Sequence, residues 1–278
     1  MRSETETTRP RDESADDALT SSPHAPLILS LDTATEVRSV AVVRGGRVLS
    51  CLSGRVQREN SASVLQDIDE ALAASNVKLS DIELFAVTTG PGSFTGLRSG
   101  IATVKAFAAT LNRPVAAVPT LHAIAAAKGV SGRVLASLPA GRGEVFAQLL
   151  SVDGGGVVEE LSEPFHLSPA ALLEKAAQEQ WGGSLTWAGA GAHAHAAAIR
   201  EFAVGRNIVW RDEVEFEDVA EGEAREGWAL APPVESYAEG IAALGLINYR
   251  QGSTIVAEDL YALYVRLSDA ELNERCRR

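Results

Sequence analysis

Residues Leu84 to Gly90, LFAVTTG, run without a spacer into the turn Gly90-Pro91-Gly92. Behind the turn, Leu97, Ile101, Val104, Ala108 and Leu111 recur at helical spacing. A short, mostly apolar run is a strand buried on both faces, and a 3.6-residue period is a helix with one buried side. A strand feeding straight into such a helix demands a layered α/β arrangement, because each element needs the other to cover its apolar side.

The same alternation recurs on both sides of this unit. Leu27 to Leu31 (LILSL) reads as a strand, and SVAVVRGGRVLSCLSG reads as two strands around Gly45-Gly46, a hairpin signal. Asn60 or Ser61 is placed to cap a helix through about Ala74, with Leu65, Ile68 and Leu72 on one face. A break at Asn112 to Pro114 opens a second round. It comprises a strand at PVAAV, a helix from Thr120 to about Ala127, and strands at RVLASL and EVFAQLLSV. A capped helix at SPAALLEKAAQEQ, a strand, glycine turn and helix at SLTWAGAGAHAHAAAIREF, and a helix from Ser236 to Tyr249 complete it. Two rounds predict two lobes, residues 27–112 and 113–278, and the early hairpin predicts mixed rather than purely parallel sheets.

Charge narrows the function classes. The formal net charge of −12 opposes a broad phosphate-binding face, so service to a nucleic acid would need a partner to grip it. Much of the excess lies in residues 1–26, read as a disordered tail, and in an acidic insertion near 211–230 that includes DEVEFEDVAEGEARE. No apolar run reaches the about 20 residues of a bilayer span, and none resembles a signal peptide, so the chain is expected to be cytoplasmic. Cys51 and Cys276 are expected to be thiols rather than a disulfide.

GPGSFTGLRSG, Gly90 to Gly100, invites comparison with phosphate loops. A P-loop places Lys and then Ser or Thr after its last glycine, whereas Gly96 is followed by Leu97 and Arg98. The dinucleotide fingerprint fails as well, because Gly90, Gly92 and Gly96 are spaced one residue too widely. What remains is a turn, a capping Ser93 or Thr95, and a helix with Gly96 and Gly100 on one side. That pattern suits close packing of another backbone, while the free N–H groups at the helix start also suit an anion. Asp32, in LDTATE, has two readings: orienting a metal-bound water or phosphate, or forming an Asx turn with Thr33 and Thr35. His193 and His195, two apart at a helix start, diverge; His122 and His166 stand alone, so no metal-ligand spacing is present.

Three stretches resemble the YeaZ/TsaB family, the accessory subunits of the bacterial machinery for threonylcarbamoyladenosine in tRNA. They are ILSLDTATEVRSVAVVRGGRVLS, FAVTTGPGSFTGLRSGIATVKAFAATLNRPVAAVPTLHAIA and LYALYVRLSDAEL. The likeness spans about Leu27 to Leu272, strongest through Leu111 and weak from Gly154 to Ser236. It implies an actin-like, sugar-kinase-like (ASKHA) fold of two RNase H-like lobes, and paralogy with the catalytic subunit TsaD. That sister family carries two metal-binding histidines four apart on the helix after the equivalent strand; the matching positions here hold Thr120 and Ile124, and His122 is out of register. The family's usual Asp-Ala-Arg run before Gly-Glu-Val is replaced by Pro139, Ala140, Gly141 and Arg142, and its usual His at the first helix is Asn60.

The resemblance therefore implies a non-catalytic scaffold with no catalytic residue, metal or cofactor. Its partners would be TsaD and the TsaE ATPase, with tRNA reached only through the complex and a homodimer when alone. The expected interface is on the first-lobe helices: Val64, Leu65, Ile68 and Leu72, then Leu97, Ile101 and Val104, with Gly96 and Gly100 permitting close approach. A vestigial nucleotide or anion site would use Asp32, Thr33, Gly90, Gly92, Ser93 and Thr95. The competing class is a nucleotide-binding ATPase or phosphotransferase of the same superfamily; a metallopeptidase lacks its ligands.

Overall fold

The computed structural model describes residues 25–55, 63–127, 130–178, 181, 183–211 and 226–263. The expected tail up to residue 24, the Asn60 or Ser61 cap, most of the acidic insertion, Cys276 and the terminal motif beyond Leu263 lie outside them.

The first sheet has the order β3-β2-β1-β4-β5. Its strands are β1 (Leu27–Asp32), β2 (Val37–Arg44), β3 (Arg47–Arg55), β4 (Leu84–Gly90) and β5 (Val115–Pro119). β1, β2 and β3 are antiparallel, turning at Gly45-Gly46, while β1, β4 and β5 run parallel, so the sheet is mixed as the hairpin required. It takes in β5 from beyond the expected lobe boundary at 112/113, because β5 satisfies the open edge of β4.

The second sheet has the order β11-β12-β10-β6-β7-β8, with β9 also on β7. Its members are β6 (Gly132–Gly141), β7 (Glu144–Val152), β8 (Val158–Glu160), β9 (Phe165–Leu167), β10 (Ser184–Ala188), β11 (Trp210–Arg211) and β12 (Gly227–Leu230). Sequence periodicity did not reveal β8, β9, β11 or β12, which have two to four residues each. β12 lies within the stretch expected to be an acidic insertion.

Seven α-helices occur among the described residues: α1 (Ser63–Ala74), α2 (Phe94–Leu111), α3 (Thr120–Ala125), α4 (Pro169–Gln178), α5 (Ala190–Ala194), α6 (Ala196–Gly205) and α7 (Ala238–Arg250). Strand alternation sorts them into layers. Leu27, Leu29 and Leu31 of β1 face α1 and α2, packing with Val64, Ile68, Val104 and Ala108. Ile28, between them, faces the opposite core. That core also takes Ala86 and Ala116 of the first sheet, Val134 and Ala136 of the second, Ile124 of α3 and Ile241 of α7. The outer face of the second sheet packs on α4, α5 and α6 through Leu173, Ala192 and Ile199, with Trp187 and Trp228 at a ring separation of 5.1 Å.

The two lobes therefore share one continuous core, filled by α3 and α7. Close seating of α7 depends on Gly245: a Cβ there would stand 2.8 Å from the Cβ of Ala86 and 3.4 Å from that of Ala116. Gly245→Val is expected to cost about 1–3 kcal/mol by forcing the helix off the sheet. Urea unfolding beside the exposed Ala243→Ser control measures it, and equal midpoints for the two variants would refute this seating.

Candidate functional site

The parallel strands β1 and β4 end side by side, and each exit turn is built on the other. β1 delivers Asp32, fully buried, and a buried carboxylate needs donors around it. Ala34 donates its N–H to Oδ1 at 2.9 Å, the Thr35 hydroxyl donates to Oδ2 at 2.5 Å, and Thr88 of β4 donates to Oδ1 at 2.9 Å. Burial pushes the Asp32 carboxyl above its ordinary 3.8, while the bonds from Thr35, Ala34 and Thr88 pull it back down. The Ala34 bond makes the expected Asx turn, and the three donors commit both oxygens to holding the strand ends together.

The glycine loop closes over that turn. Gly90-Pro91 is a cis peptide, Ser93 donates its N–H to the Ala34 carbonyl at 2.8 Å, and Gly92 lies against the same carbonyl. One helical turn on, a Cβ at Gly96 would overlap the Thr33 carbonyl oxygen, and one at Gly100 would overlap the Thr33 hydroxyl. Of the two uses left open for these glycines, close packing is the one the geometry displays. The backbone admitted is the chain's own β1 exit, which corrects the expectation that Gly96 and Gly100 make room for a partner.

At the start of α2, Ser93 rather than Thr95 is the cap, its hydroxyl accepting the Gly96 N–H at 3.3 Å. Thr95 is exposed, and the Arg98 guanidinium lies 4.1 Å from the centre of the Phe94 ring. The other side of the loop is covered by the final described segment. Leu263 donates its N–H to Thr89 O at 2.7 Å and sets its own carbonyl against Gly90. Lys105 of α2 holds the same segment through the Glu258 carbonyl at 3.1 Å and the Tyr261 ring at 4.5 Å.

Of the residues expected at an interface, Val64, Ile68, Leu72, Leu97, Ile101 and Val104 are buried in the chain itself. A single apolar stripe on each helix is consumed by the first sheet. Leu65 alone of the seven apolar candidates faces outward, 52% exposed, so it does not share the buried face with Ile68 and Leu72. The outward surface of α1 and α2 carries Leu65, Asp69, Glu70 and Ala73, then Ala102, Ala106 and Ala109.

The positions matched to the sister family's histidines lie on α3. Thr120 and Ile124 are both buried, and Ile124 packs where a side chain at Gly189 would otherwise stand. An aliphatic side chain offers no ligand atom, so the pair does not fit a metal ion. His122 instead approaches Glu160 at 3.0 Å, and His166 approaches Glu144 at 2.9 Å. His193 ends up in α5, and His195 sits at the break between α5 and α6. Among the described residues no three His, Cys, Asp or Glu side chains form a metal-holding group. Arg142, the shifted arginine, is at the exposed β6–β7 hairpin tip with a φ of 54°. Cys51 is a free thiol, 3.1 Å from the Ser236 hydroxyl.

Sequence reading missed the polar groups that tie α7 beneath the site. Ser39 accepts the N–H groups of Tyr237 and Ala238, both at 3.2 Å, and Ser30 donates to the Ala238 carbonyl at 2.8 Å. The Tyr237 phenol is pushed up to about 12 by burial and then by the Asp32 charge. The available signal was a lone serine inside each of two apolar strands, since a buried hydroxyl must find a partner.

A family model described as tRNA N6-adenosine threonylcarbamoyltransferase, TsaD, matches residues 54–206. The tRNA threonylcarbamoyladenosine biosynthesis protein TsaB of Escherichia coli K12 is 29% identical over 242 residues, covering 86% of this chain and 94% of the relative. The tRNA N6-adenosine threonylcarbamoyltransferase of Brachyspira hyodysenteriae is 34% identical over 112 residues, which cover 34% of this chain and 33% of the enzyme. The solved structure of YeaZ from Pseudomonas aeruginosa is similar with a TM-score of 0.64 at 24% identity, over 86% of this chain and all of that one. The likeness is one of fold, and the two mixed sheets bear out the expected layered α/β arrangement.

Two outcomes follow from the paired turns. Gly96→Ala is expected to destabilise by about 1–3 kcal/mol or more, because its methyl meets backbone rather than a movable side chain. The exposed Gly155→Ala is the control, and equal thermal midpoints would refute the packing role. For Asp32, a raised folded pKa means that the folded state holds a proton the unfolded chain releases as pH rises above 3.8. Its contribution to stability therefore falls as pH climbs through that window and levels off above the folded pKa. Asp32→Asn lacks this dependence and should gain on the parent in urea midpoint as pH rises; a gap constant with pH would contradict the assignment.

Proposed function

This chain belongs to the YeaZ/TsaB family, within the wider family described by the TsaD model, and from that membership we propose that it is a non-catalytic scaffold. Membership gives it a role in the biosynthesis of tRNA threonylcarbamoyladenosine. In the finer reading it binds the catalytic subunit TsaD and stabilises its active form, with the TsaE ATPase joining the assembly and tRNA held through the complex. Free in the cytoplasm it pairs with a second copy. No described helix is long and apolar enough to cross a membrane.

The observation that carries the scaffold reading is the state of α3. Where the sister family's resemblance calls for two imidazoles, this chain buries Thr120 and Ile124 in the core shared by its lobes. The competing phosphotransferase reading needs an acid free to orient a reacting group, and both Asp32 oxygens already receive hydrogen bonds from the chain. Binding to TsaD is supported by kinship: the matched segment, 54–206, includes α1 and α2, so two chains of related build can meet through like surfaces. The outward face of those helices is rich in alanine, which lets helix axes approach closely.

The test is co-purification of the chain with its cognate TsaD, repeated for Leu65→Glu and Ala106→Glu, both exposed substitutions that leave the core untouched. Association is expected to weaken tenfold or more in each variant, while the chain alone neither hydrolyses ATP nor modifies tRNA. Undiminished association in both variants would move the interface elsewhere. ATP turnover by the clean chain, abolished by Asp32→Ala, would replace the scaffold with an enzyme.

A further inference from the structure

The β2–β3 hairpin ends on two like charges. Arg44 closes β2, Arg47 opens β3, and the register sets them directly opposite each other across the Gly45-Gly46 turn. Opposed residues of antiparallel strands share a face with Cβ atoms about 4.5–5.5 Å apart, and like charges so placed repel. Among the described residues neither guanidinium has an ion pair or a hydrogen bond. Glu83, on the far side of β1, does not serve them: its carboxylate accepts the Leu27 N–H at 2.9 Å. The pair is also open on one flank, because β3 is the outer strand of the first sheet and pairs, among the described residues, with β2 alone. Arg47 is exposed, as is Val48 beside it. In a chain of net charge −12, two opposed cations without a counter-ion make a place for carboxylates.

The path of the chain selects the occupant. Gly45 donates its N–H to the Pro26 carbonyl at 3.1 Å, so the segment that precedes β1 meets the sheet at the arginine turn itself. Upstream of that point, residues 12–17 (DESADD) hold Asp12, Glu13, Asp16 and Asp17 and no base, and residues 18–24 contain no Asp, Glu, Lys or Arg. From Asp17 to Ala25 is eight residues. Fully extended, that length spans at most about 26–29 Å, several times the ~4.8 Å between neighbouring strands. The acidic block therefore reaches the turn with chain to spare. A second copy is the poorer occupant, since a two-fold contact at this turn sets one arginine pair against another. An acidic segment of another protein must compete with one that is tethered, whose effective concentration is in about the millimolar range.

We propose that residues 12–17 dock on the Arg44 and Arg47 end of the β2–β3 hairpin, an intramolecular contact that neutralises the arginine pair and closes this end of β3 to acidic segments of other proteins. The proposal does not depend on the scaffold reading. Each carboxylate that reaches a guanidinium accepts charge-assisted hydrogen bonds, which relieve the repulsion across the turn.

The test follows the Arg44 and Arg47 side-chain Nε–H signals and the Val48 amide by NMR in the full chain. The combined variant Asp12→Asn, Glu13→Gln, Asp16→Asn and Asp17→Asn removes the acids and keeps the length. It is expected to shift these signals from their positions in the parent. The acetylated peptide amide of residues 12–20, titrated into that variant, should move them back in a saturable way at up to millimolar peptide. Affinity for the parent, whose own acids hold the site, should be fivefold or more weaker. Arg44→Gln with Arg47→Gln, both at the surface of the turn, should abolish the peptide-induced shift at Val48. Signals unchanged between parent and acid-free variant would overturn the proposal, as would undiminished peptide binding to the double Gln variant. Equal peptide affinity for parent and acid-free variant would give the site to an external acidic segment, and shifts that depend on protein concentration would give it to a second copy; either result overturns the assignment to residues 12–17.

Discussion

The buried carboxylate of Asp32 sets the terms for the surrounding structure. A charge removed from water must be met by donors, and it takes them from two strand ends: Ala34 and Thr35 beyond β1, and Thr88 on β4. Once those ends are tied, the β1 exit has only one place to lie, against the first turns of α2. That contact is closer than any residue with a Cβ permits, so positions 92, 96 and 100 are glycine. The loop that looks built for a phosphate is thus occupied by its own neighbour, with the Ala34 carbonyl taking the Ser93 N–H.

The same economy joins the lobes. In a two-lobed α/β chain each sheet must cover two faces, and here α3 and α7 lie between the sheets and serve both. Ser30 and Ser39 fix the start of α7 under β1 and β2, so the helix that closes the second round of the chain is registered against the first sheet. Gly245 then lets the helix settle on Ala86 and Ala116. Filling the interlobe space this way leaves Ile124 against Gly189.

The long elements were legible in the sequence because each carries several periods of its own pattern. β1 to β7, the Gly45-Gly46 hairpin and the cores of α1, α2, α4 and α7 fall where periodicity places them. β8, β9, β11 and β12 have too few residues to show alternation, and they exist because β7 and β10 offer them an edge. In the site, Asp32 and the glycines were visible as residue types, but their partners were not. Pairing Thr88 with Asp32, or Ser39 with Tyr237, is a fact about parallel register and helix docking, and neither is encoded within a window of neighbouring residues. Six of the expected interface residues lie in the chain's own core for a related reason: an apolar stripe says that a helix face is buried and does not say by what.

The proposed scaffold role depends on what α1 and α2 leave facing outward. A stripe about 100° wide satisfies one neighbour, and on α1 and α2 the neighbour is the first sheet. Whatever meets these helices from outside therefore meets Ala73, Ala102, Ala106 and Ala109, with Leu65 and, at the start of α2, Phe94 as exposed large apolar groups and Asp69, Glu70 and Arg98 at the margins. Small residues contribute little buried area of their own. What they contribute is proximity, allowing a partner's larger side chains to reach the helix backbone and pack there. The affinity of such a face lies mainly in the partner, and its selectivity lies in the charges around it.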